Sequence, residues 1–450
     1  MKLLINSGKK GRKKTLLGSI EPVALYRLPL KTFGGAFMRP LVQVGDTVLK
    51  NQLLAVSDSP FPTCMHAPVS GRVIEGGEWN DEYLSLENDF LETEVSANYS
   101  CKSASLFDHF KTSSLSLEQQ AITQERVSVD PEELSADELL LAIAKAGVVG
   151  CGGAQFPTHL KYRLGRETVV DTFIVNGVEC EPYLTADYTV MNEYTEEVLK
   201  GIACVQKIIN ANEIVIALEH QNRELKRKFE AQFKNFSLPI KVVLVSDTYP
   251  QGGELQLIKA VSRKELRKGS VPADYGVIVS NVSTLWEIYL AVYRDQPFIE
   301  RIISFLDKRN NINENFLVKI GTPIQDIIGQ LLPDDAVDDC ELVIKGGPMM
   351  GREVNPRMES IDKGTGGLLI LPSVKSNVDN CIGCGYCVEV CPQQLMPLKY
   401  AHAMFHADHM TLRKYHVMEC IECAACAYVC PSDIPLLENI RSGKQLLRTL

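Results

Sequence analysis

Eight of the 14 cysteines in this chain fall in two runs with one spacing. Cys381, Cys384, Cys387 and Cys391 precede Pro392, and Cys420, Cys423, Cys426 and Cys430 precede Pro431, so both runs read C-x2-C-x2-C-x3-C-P. Thiolates at this spacing hold [4Fe-4S] cubes: three cysteines wrap one cluster, and the fourth, ahead of a proline, reaches across to the other. The rule assigns Cys381, Cys384, Cys387 and Cys430 to a first cluster, and Cys420, Cys423, Cys426 and Cys391 to a second. Four-cysteine zinc sites also use C-x2-C. They leave the repeated third cysteine, the fixed x3 gap and the two prolines unexplained. The chemistry expected here is one-electron transfer.

A second group of residues suits a phosphate-bearing ligand. The segment GVVGCGGAQFPTHLKY places Gly147, Gly150, Gly152 and Gly153 ahead of Phe156, Pro157, Thr158 and Lys161. Backbone N–H groups freed of side chains can converge on a phosphate, and a lysine a few residues on can neutralise it. No Gly-Lys-Ser/Thr follows, so this is not a Walker loop. Three further turns each follow a β-prone run. FIVNGVECEPYLTAD carries Asn176, Glu179, Cys180 and Glu181; DTYPQGGE carries Tyr249, Gly252, Gly253 and Glu254; VIVSNVSTL carries Asn281 and Thr284. If the strands are parallel, these turns meet at their carboxyl ends, where ligands of open α/β sheets bind.

Positioning such groups calls for several domains, and 450 residues exceed what one core usually supports. Residues 40–76 alternate short β-prone runs with turn signals and resemble the barrel-sandwich domain of biotinyl and lipoyl carriers. The hairpin tip, SDSPFPTCMHAP, lacks the carrier lysine, so a structural role is expected. Residues 96–132 are polar and Ser-rich, with a short helix expected over Ser116–Thr123 from the capping-box spacing of Ser116 and Gln119. From Ser135 a capped helix ended by Gly147 is expected. The runs DTFIVNG, EIVIALE, KVVLVSD and YGVIVSN then alternate with helical ones, the pattern of an α/β layer with a largely parallel sheet. Residues 316–350 suggest a small β-grasp module, and the cysteine runs form an internal repeat offset by 39 residues (381 to 420).

Composition narrows the class. The chain is 45% hydrophobic and 23% charged, ordinary for soluble globular protein, and no apolar run nears the roughly 18 residues of a membrane helix. A net charge of −9 argues against nucleic-acid binding. The basic cluster of Lys9, Lys10, Arg12, Lys13 and Lys14 reads as a solvated tail, with an anionic membrane or partner surface as the alternative. Eight thiolate ligands suit a reducing compartment, so a cytoplasmic protein is expected.

The motifs G-x-G-G-A-x-F-P-T, N-G-x-E-C-E-P, Y-P-Q-G-G-E and G-G-P-M-M-G together resemble the RnfC family, the peripheral NADH-facing subunit of the Rnf ion-pumping electron-transport complex. The flavin domain is also similar to the FMN- and NADH-binding subunit of respiratory complex I. The resemblance implies an α/β multidomain protein: a barrel-sandwich domain with a basic lead (1–95), a linker (96–132), a Rossmann-like FMN/NADH domain (133–300), a β-grasp (SLBB-like) module (301–372) and a two-cluster ferredoxin domain (373–450). It implies that the Gly150, Gly152 and Gly153 backbone and Lys161 hold the FMN phosphate. Asn176, Glu179, Cys180, Asn281 and Thr284 would surround the flavin. Phe156, Glu181 and Glu254 would face the nicotinamide nucleotide, and Tyr249 to Gly253 would shape the floor. A redox protein partner, membrane-bound in the Rnf case, is also implied.

Two departures stand out: Gln155 replaces the family's glycine after G-G-A, which would narrow the approach, and the amino terminus reads NSGKKGRKKTLLGSIEP rather than a G-G-x-H-P-P-like stretch. Soluble relatives that feed proline reductase or cobalamin reductase are the alternative, and a flavin-free iron–sulfur relay is the rival of another class. The combination has a chemical logic, because NADH yields two electrons as a hydride while each cube accepts one, and a flavin converts between the two. Cys151 and Cys180 are read as packing residues rather than redox groups; Cys64, Cys101, Cys204 and Cys340 show no spacing logic. His402, His406 and His409 fit one face of a solvated helix between the cysteine runs.

Overall fold

The structure is a computed structural model that describes residues 15–57, 59–76, 82–95, 130–267, 270–332, 341–373 and 377–450. The basic cluster, the helix expected over Ser116–Thr123, Cys101 and Cys340 lie outside the described residues.

Four strands form a wholly parallel sheet in the order Ile240–Val245, Glu213–Glu219, Thr172–Gly177, Val277–Asn281. They are the four β-prone runs of the sequence. Their Val/Ile/Leu content follows from burial on both faces, Phe173 to Val175 and Ile214 to Leu218 being closed off from solvent. Chain order reverses between Thr172–Gly177 and Val277–Asn281, which makes the gap between them the switch point of the sheet.

The flanking helices follow their end signals. Ala136–Lys145 starts on Ser135 in a capping box with Glu138. It ends before Gly147, whose φ of 67° is left-handed and where a Cβ would lie 2.4 Å from the Cys64 carbonyl oxygen. Thr195–Ile209 and Val282–Tyr293 approach closely because Gly201 leaves room for the Leu285 carbonyl, 2.0 Å from where its Cβ would be.

Around this layer sit the other units. Two small antiparallel sheets make the barrel sandwich: Leu25–Pro29, Tyr83–Asn88, Gly71–Ile74 and Thr47–Val48 in one, Arg39–Pro40, Leu53–Val56 and Cys64–His66 in the other. In the next unit, Glu300–Asp307 pairs antiparallel with Ile312–Lys319 and parallel with Gly367–Pro372, which pairs antiparallel with Glu341–Lys345. With the helix Ile324–Leu331 this is the strand order of a β-grasp. Leu16–Ser19, assigned from sequence to the barrel-sandwich lead, instead adds in parallel to Ile312–Lys319 at the edge of this sheet.

The carboxyl-terminal unit repeats its backbone every 39 residues. Helix Tyr386–Glu389 recurs as Ala425–Tyr428, and helix Pro397–Phe405 as the longer Leu436–Thr449. The histidines between them do not share one helix. His402 and His406 lie tilted against each other at 4.9 Å, but Ala407 turns left-handed and Asp408 caps a new helix that starts at His409. No helix among the described residues is long and apolar enough to cross a membrane.

Candidate functional site

The glycine loop closes on itself and is tied to the helix that follows strand Val277–Asn281 at the sheet's switch point. Gly150 N–H donates to the Phe156 carbonyl at 2.9 Å, and Cys151 N–H to Thr284 Oγ1 at 2.9 Å. Between these ties Gly152 and Gly153 stay exposed, with a Gly152 Cβ position 4.0 Å from Asn281 Cβ and open space at Gly153. Asn281 caps helix Val282–Tyr293 by accepting from Ser283 N–H (2.9 Å), and its Nδ2 donates to Asp187 Oδ2 at 2.6 Å. Ser283 Oγ donates to the other Asp187 oxygen at 2.5 Å. Asp187 was not singled out from sequence; it is the last residue of the LTAD stretch, nearly a hundred positions from the partners that give it a role.

The neighbouring strand ends are tied the same way. Asn176 accepts from Val178 N–H (3.0 Å) and donates to the Gly252 carbonyl at 2.9 Å. Gly252 must be glycine, since a Cβ would lie 2.3 Å from the Val178 oxygen. Lys161 donates to the Val279 carbonyl at 2.9 Å and lies 3.5 Å from Glu254 Oε1. The structure thus gathers the glycine loop, Lys161, Asn176, Gly252, Glu254, Asn281 and Thr284 about one crevice. Beside the loop the Thr158 hydroxyl, 2% exposed, has no hydrogen-bond partner among the described residues. An orphan donor, exposed glycine amides and an ammonium fit a phosphate-bearing flavin nucleotide.

Other sequence candidates have different work. Glu179 accepts from Asp187 N–H at 3.0 Å and so holds the start of helix Ala186–Glu193. Glu181, expected to face the nicotinamide, instead accepts from Met349 N–H (3.0 Å) and Met350 N–H (2.9 Å). Backbone amides in that turn need acceptors, and a carboxylate supplies two. Gly347 is glycine because its Cβ would lie 2.2 Å from Glu181 Oε2. Phe156 packs edge-on to Phe33 (5.1 Å) and Phe61 (5.7 Å) of the barrel sandwich, so its ring closes a domain joint rather than standing free in the crevice. Gln155, expected to narrow the approach, takes the left-handed backbone (φ 55°) that favours glycine and donates to Asp362 Oδ1 at 3.2 Å. Its side chain lies over Gly364 in the β-grasp unit.

Under the loop lies a buried charged group that sequence reading missed. Lys363 donates to the Cys64 carbonyl (2.8 Å) and the Gly147 carbonyl (2.7 Å), joining three domains through one ammonium. Burial pulls its pKa down to about 8. Arg301 donates to the Lys363 carbonyl and, at 3.5 Å, to that of Cys151. Glu287, 2% exposed, leaves Oε1 without a partner, and burial pushes its carboxyl well above the ordinary range although Arg301 draws it down. Burial also raises the Cys151 thiol to about 12, the state of an inert packing residue.

The cysteine runs differ in surroundings. Cys391, Cys420, Cys423 and Cys426 line one cavity together with Leu395, Tyr400, Ile421, Leu437 and Ile440. These are the four cysteines assigned to the second cluster. Leu395 N–H points at Cys391 Sγ (3.4 Å) and Glu422 N–H at Cys420 Sγ (3.3 Å). Burial, then the neighbouring thiols, raise Cys423 to about 11 and Cys426 to about 12, a crowding that a bound cationic centre reverses. Apolar walls, four converging thiols and amides aimed at sulfur fit an iron–sulfur cube. Among the described residues no group of three or more His, Cys, Asp or Glu side chains is arranged to hold a single ion. Of the first set, Cys381 and Cys384 are exposed and Cys387 and Cys430 half-buried.

The two sites adjoin. Tyr249 Oη donates to the Cys423 carbonyl at 2.8 Å. Tyr249, Met349, Cys423 and Ala425 form a buried apolar patch, with Cys180, Ile421 and Ala424 against it.

A crevice that fits a flavin nucleotide, set against a two-run cysteine unit, is the make-up of an iron–sulfur flavoprotein of electron transfer. Family models agree region by region: an RnfC barrel sandwich hybrid domain matches residues 4–80, a Nuo51 FMN-binding domain residues 143–290, and a 4Fe-4S dicluster domain residues 380–434. The chain is 32% identical over 435 residues to the C component of the ion-translocating oxidoreductase complex of Rhodobacter capsulatus, covering 94% of this chain and 78% of that one. It is 33% identical to the C component of the proton-translocating ferredoxin:NAD(+) oxidoreductase complex of Clostridium ljungdahlii (82% and 76% covered). It is 31% identical to the same component of the Na(+)-translocating ferredoxin:NAD(+) oxidoreductase complex of Acetobacterium woodii (86% and 82%). The chain belongs to this RnfC family. A chain of an NAD+-reducing [NiFe]-hydrogenase in the H2-reduced state shares the fold at 17% identity and a TM-score of 0.52, over 71% of this chain and 63% of that one.

Proposed function

We propose that this chain exchanges electrons between NADH and a redox protein partner through FMN in the crevice and one [4Fe-4S] cluster on each cysteine set. The observation that carries the reading is the junction itself, where a turn that walls the crevice reaches the four-thiol cavity at Tyr249 and Cys423. FMN, when bound, accepts a hydride's two electrons and releases them singly. The protein's part is placement. The Gly152 and Gly153 amides, Lys161 and the Thr158 hydroxyl would hold the phosphate, the Gly150 N–H being spent on the Phe156 carbonyl. Asn176 and Asn281 fix the strand ends that border the ring, Thr284 ties the glycine loop, Asp187 holds Asn281 and is itself placed by Glu179, and Cys180 and Gly252 form the adjoining wall. Glu254 would border the nicotinamide nucleotide, with Tyr249 to Gly253 as the floor. The relatives belong to ion-translocating complexes, which supports a redox partner within such a complex; a cytoplasmic position for this chain rests on its cluster thiolates, which suit a reducing compartment.

The test is an anaerobic absorption spectrum of the full chain reconstituted with iron, sulfide and FMN, before and after NADH. Bleaching of both flavin and cluster bands is expected. Clusters that form without flavin uptake or any response to NADH would leave only an iron–sulfur relay.

A further inference from the structure

We propose that electrons pass between the crevice and the cysteine unit through the second set, Cys391, Cys420, Cys423 and Cys426, and that Tyr249 positions this transfer. The proposal rests on the reading that the crevice holds FMN and the cysteines hold cubes.

Three observations carry it. The first is an asymmetry of contact. Cys423 lies in the patch shared with Tyr249, Met349 and Cys180, whereas the first loop faces outward, with Cys381 and Cys384 exposed and Ile382 70% exposed. The second is the double membership of one turn. Asn176 holds this turn by the Gly252 carbonyl at the crevice, and Tyr249, three residues earlier, reaches the other way to the Cys423 carbonyl at 2.8 Å. The third is the clamp on the far side. Glu181, only four residues beyond strand Thr172–Gly177, takes the amides of Met349 and Met350, and so holds Met349 against the same patch. Tunnelling weakens steeply with distance and with gaps in packing, so the set joined by buried side chains and a hydrogen bond is the one that couples. A hydroxyl bonded to the backbone of a ligand cysteine also tunes that ligand's field.

Electrons and protons balance along this route. One NADH becomes NAD+ and releases, net, one proton and two electrons. Two oxidised cubes each gain one electron. The first electron to reach the second set moves on to the first before the other arrives, and the reverse flow uses the same route.

The test uses the full chain loaded with FMN and both clusters, with Tyr249→Phe, Tyr249→Leu and the exposed first-loop control Tyr386→Phe. Midpoint potentials of each cluster come from EPR-monitored titration, and rapid mixing with NADH times flavin and cluster reduction separately. Tyr249→Phe should shift the potential of one cluster and not the other, and slow cluster reduction relative to flavin reduction by about tenfold. Tyr249→Leu should exceed it, and Tyr386→Phe should leave the ratio unchanged. Cys384→Ala and Cys420→Ala check the route without touching Tyr249. NADH should still reduce the remaining cluster in Cys384→Ala and should fail to do so at the native rate in Cys420→Ala. Unchanged potentials and ratio in Tyr249→Phe, or native-rate reduction in Cys420→Ala, would overturn the inference. A wild-type chain that does not bleach with NADH would instead remove the reading beneath it.

Discussion

In the first cysteine loop Gly383 and Gly385 take left-handed backbone, at φ 69° and 80°, and 39 residues later Glu422 and Ala424 take the same conformation at 56° and 58°. Gln394 and Asp433 repeat the match at 54° and 48°. Left-handed backbone costs an L residue about 1 kcal/mol, so its retention at four non-glycine positions shows that the cysteine spacing dictates the path. What differs is the company. Nothing lies within 4 Å of a Cβ position at Gly383 or Gly385, whereas Ala424 packs beside Tyr249 and Glu422 is held by Lys444 (2.6 Å) and Arg441 (3.2 Å). Ligand geometry sets the backbone of both halves; the neighbours set everything else.

The largest consequence is access. A chelator or oxygen should destroy the cluster of the first set about tenfold faster than that of the second, followed as loss of each EPR signal, because the hydrophobic shell controls solvent entry. Equal rates would break the comparison. Next comes the field around each cube. Lys444, 7% exposed, donates to the Cys420 carbonyl and to Glu422, both at 2.6 Å, and has no counterpart at exposed Phe405 in the first half. Lys444→Met should leave the Glu422 carboxylate opposed by Arg441 alone and lower the second cluster's potential by tens of millivolts, with the first unmoved in the same titration.

A smaller effect sharpens the backbone argument. Gly385→Ala should cost about 1 kcal/mol in unfolding measurements, and Ala424→Gly should gain less than that because packing against Tyr249 is lost with the methyl. Smallest is a control outside the repeat. The folded-state pKa of Glu287 lies above its unfolded value, so its contribution is fully present below the unfolded value and lost as pH rises through the folded one. Glu287→Gln should flatten the fall in melting temperature as pH rises above the ordinary carboxylate range, while leaving both cluster potentials unchanged.

Much of this was legible in the chain. The parallel strands announced themselves as apolar runs between turn residues, and the cysteine cavity holds the four residues that the x2-x2-x3 spacing assigns to it. The failures have a common physical cause, which is partnership across long separations. Nothing near Glu181 signals that its acceptors face Met349 and Met350, and nothing in Leu16–Ser19 signals an edge strand paired with residues 315–317. The histidine stripe failed locally instead: a left-handed Ala407 and an Asp408 cap break the helix that periodicity alone would continue.

The position of Cys391 bears on how the protein is made. It follows the first loop in sequence yet lines the cavity of the second, so neither half of the repeat closes a four-thiol site from its own residues. On the proposed ligand assignment, maturation of this unit would be cooperative: iron and sulfide delivered to one loop would stay incompletely ligated until the other loop has folded beside it. A nascent chain halted between Cys391 and Cys420 would offer the assembly machinery only an unfinished site.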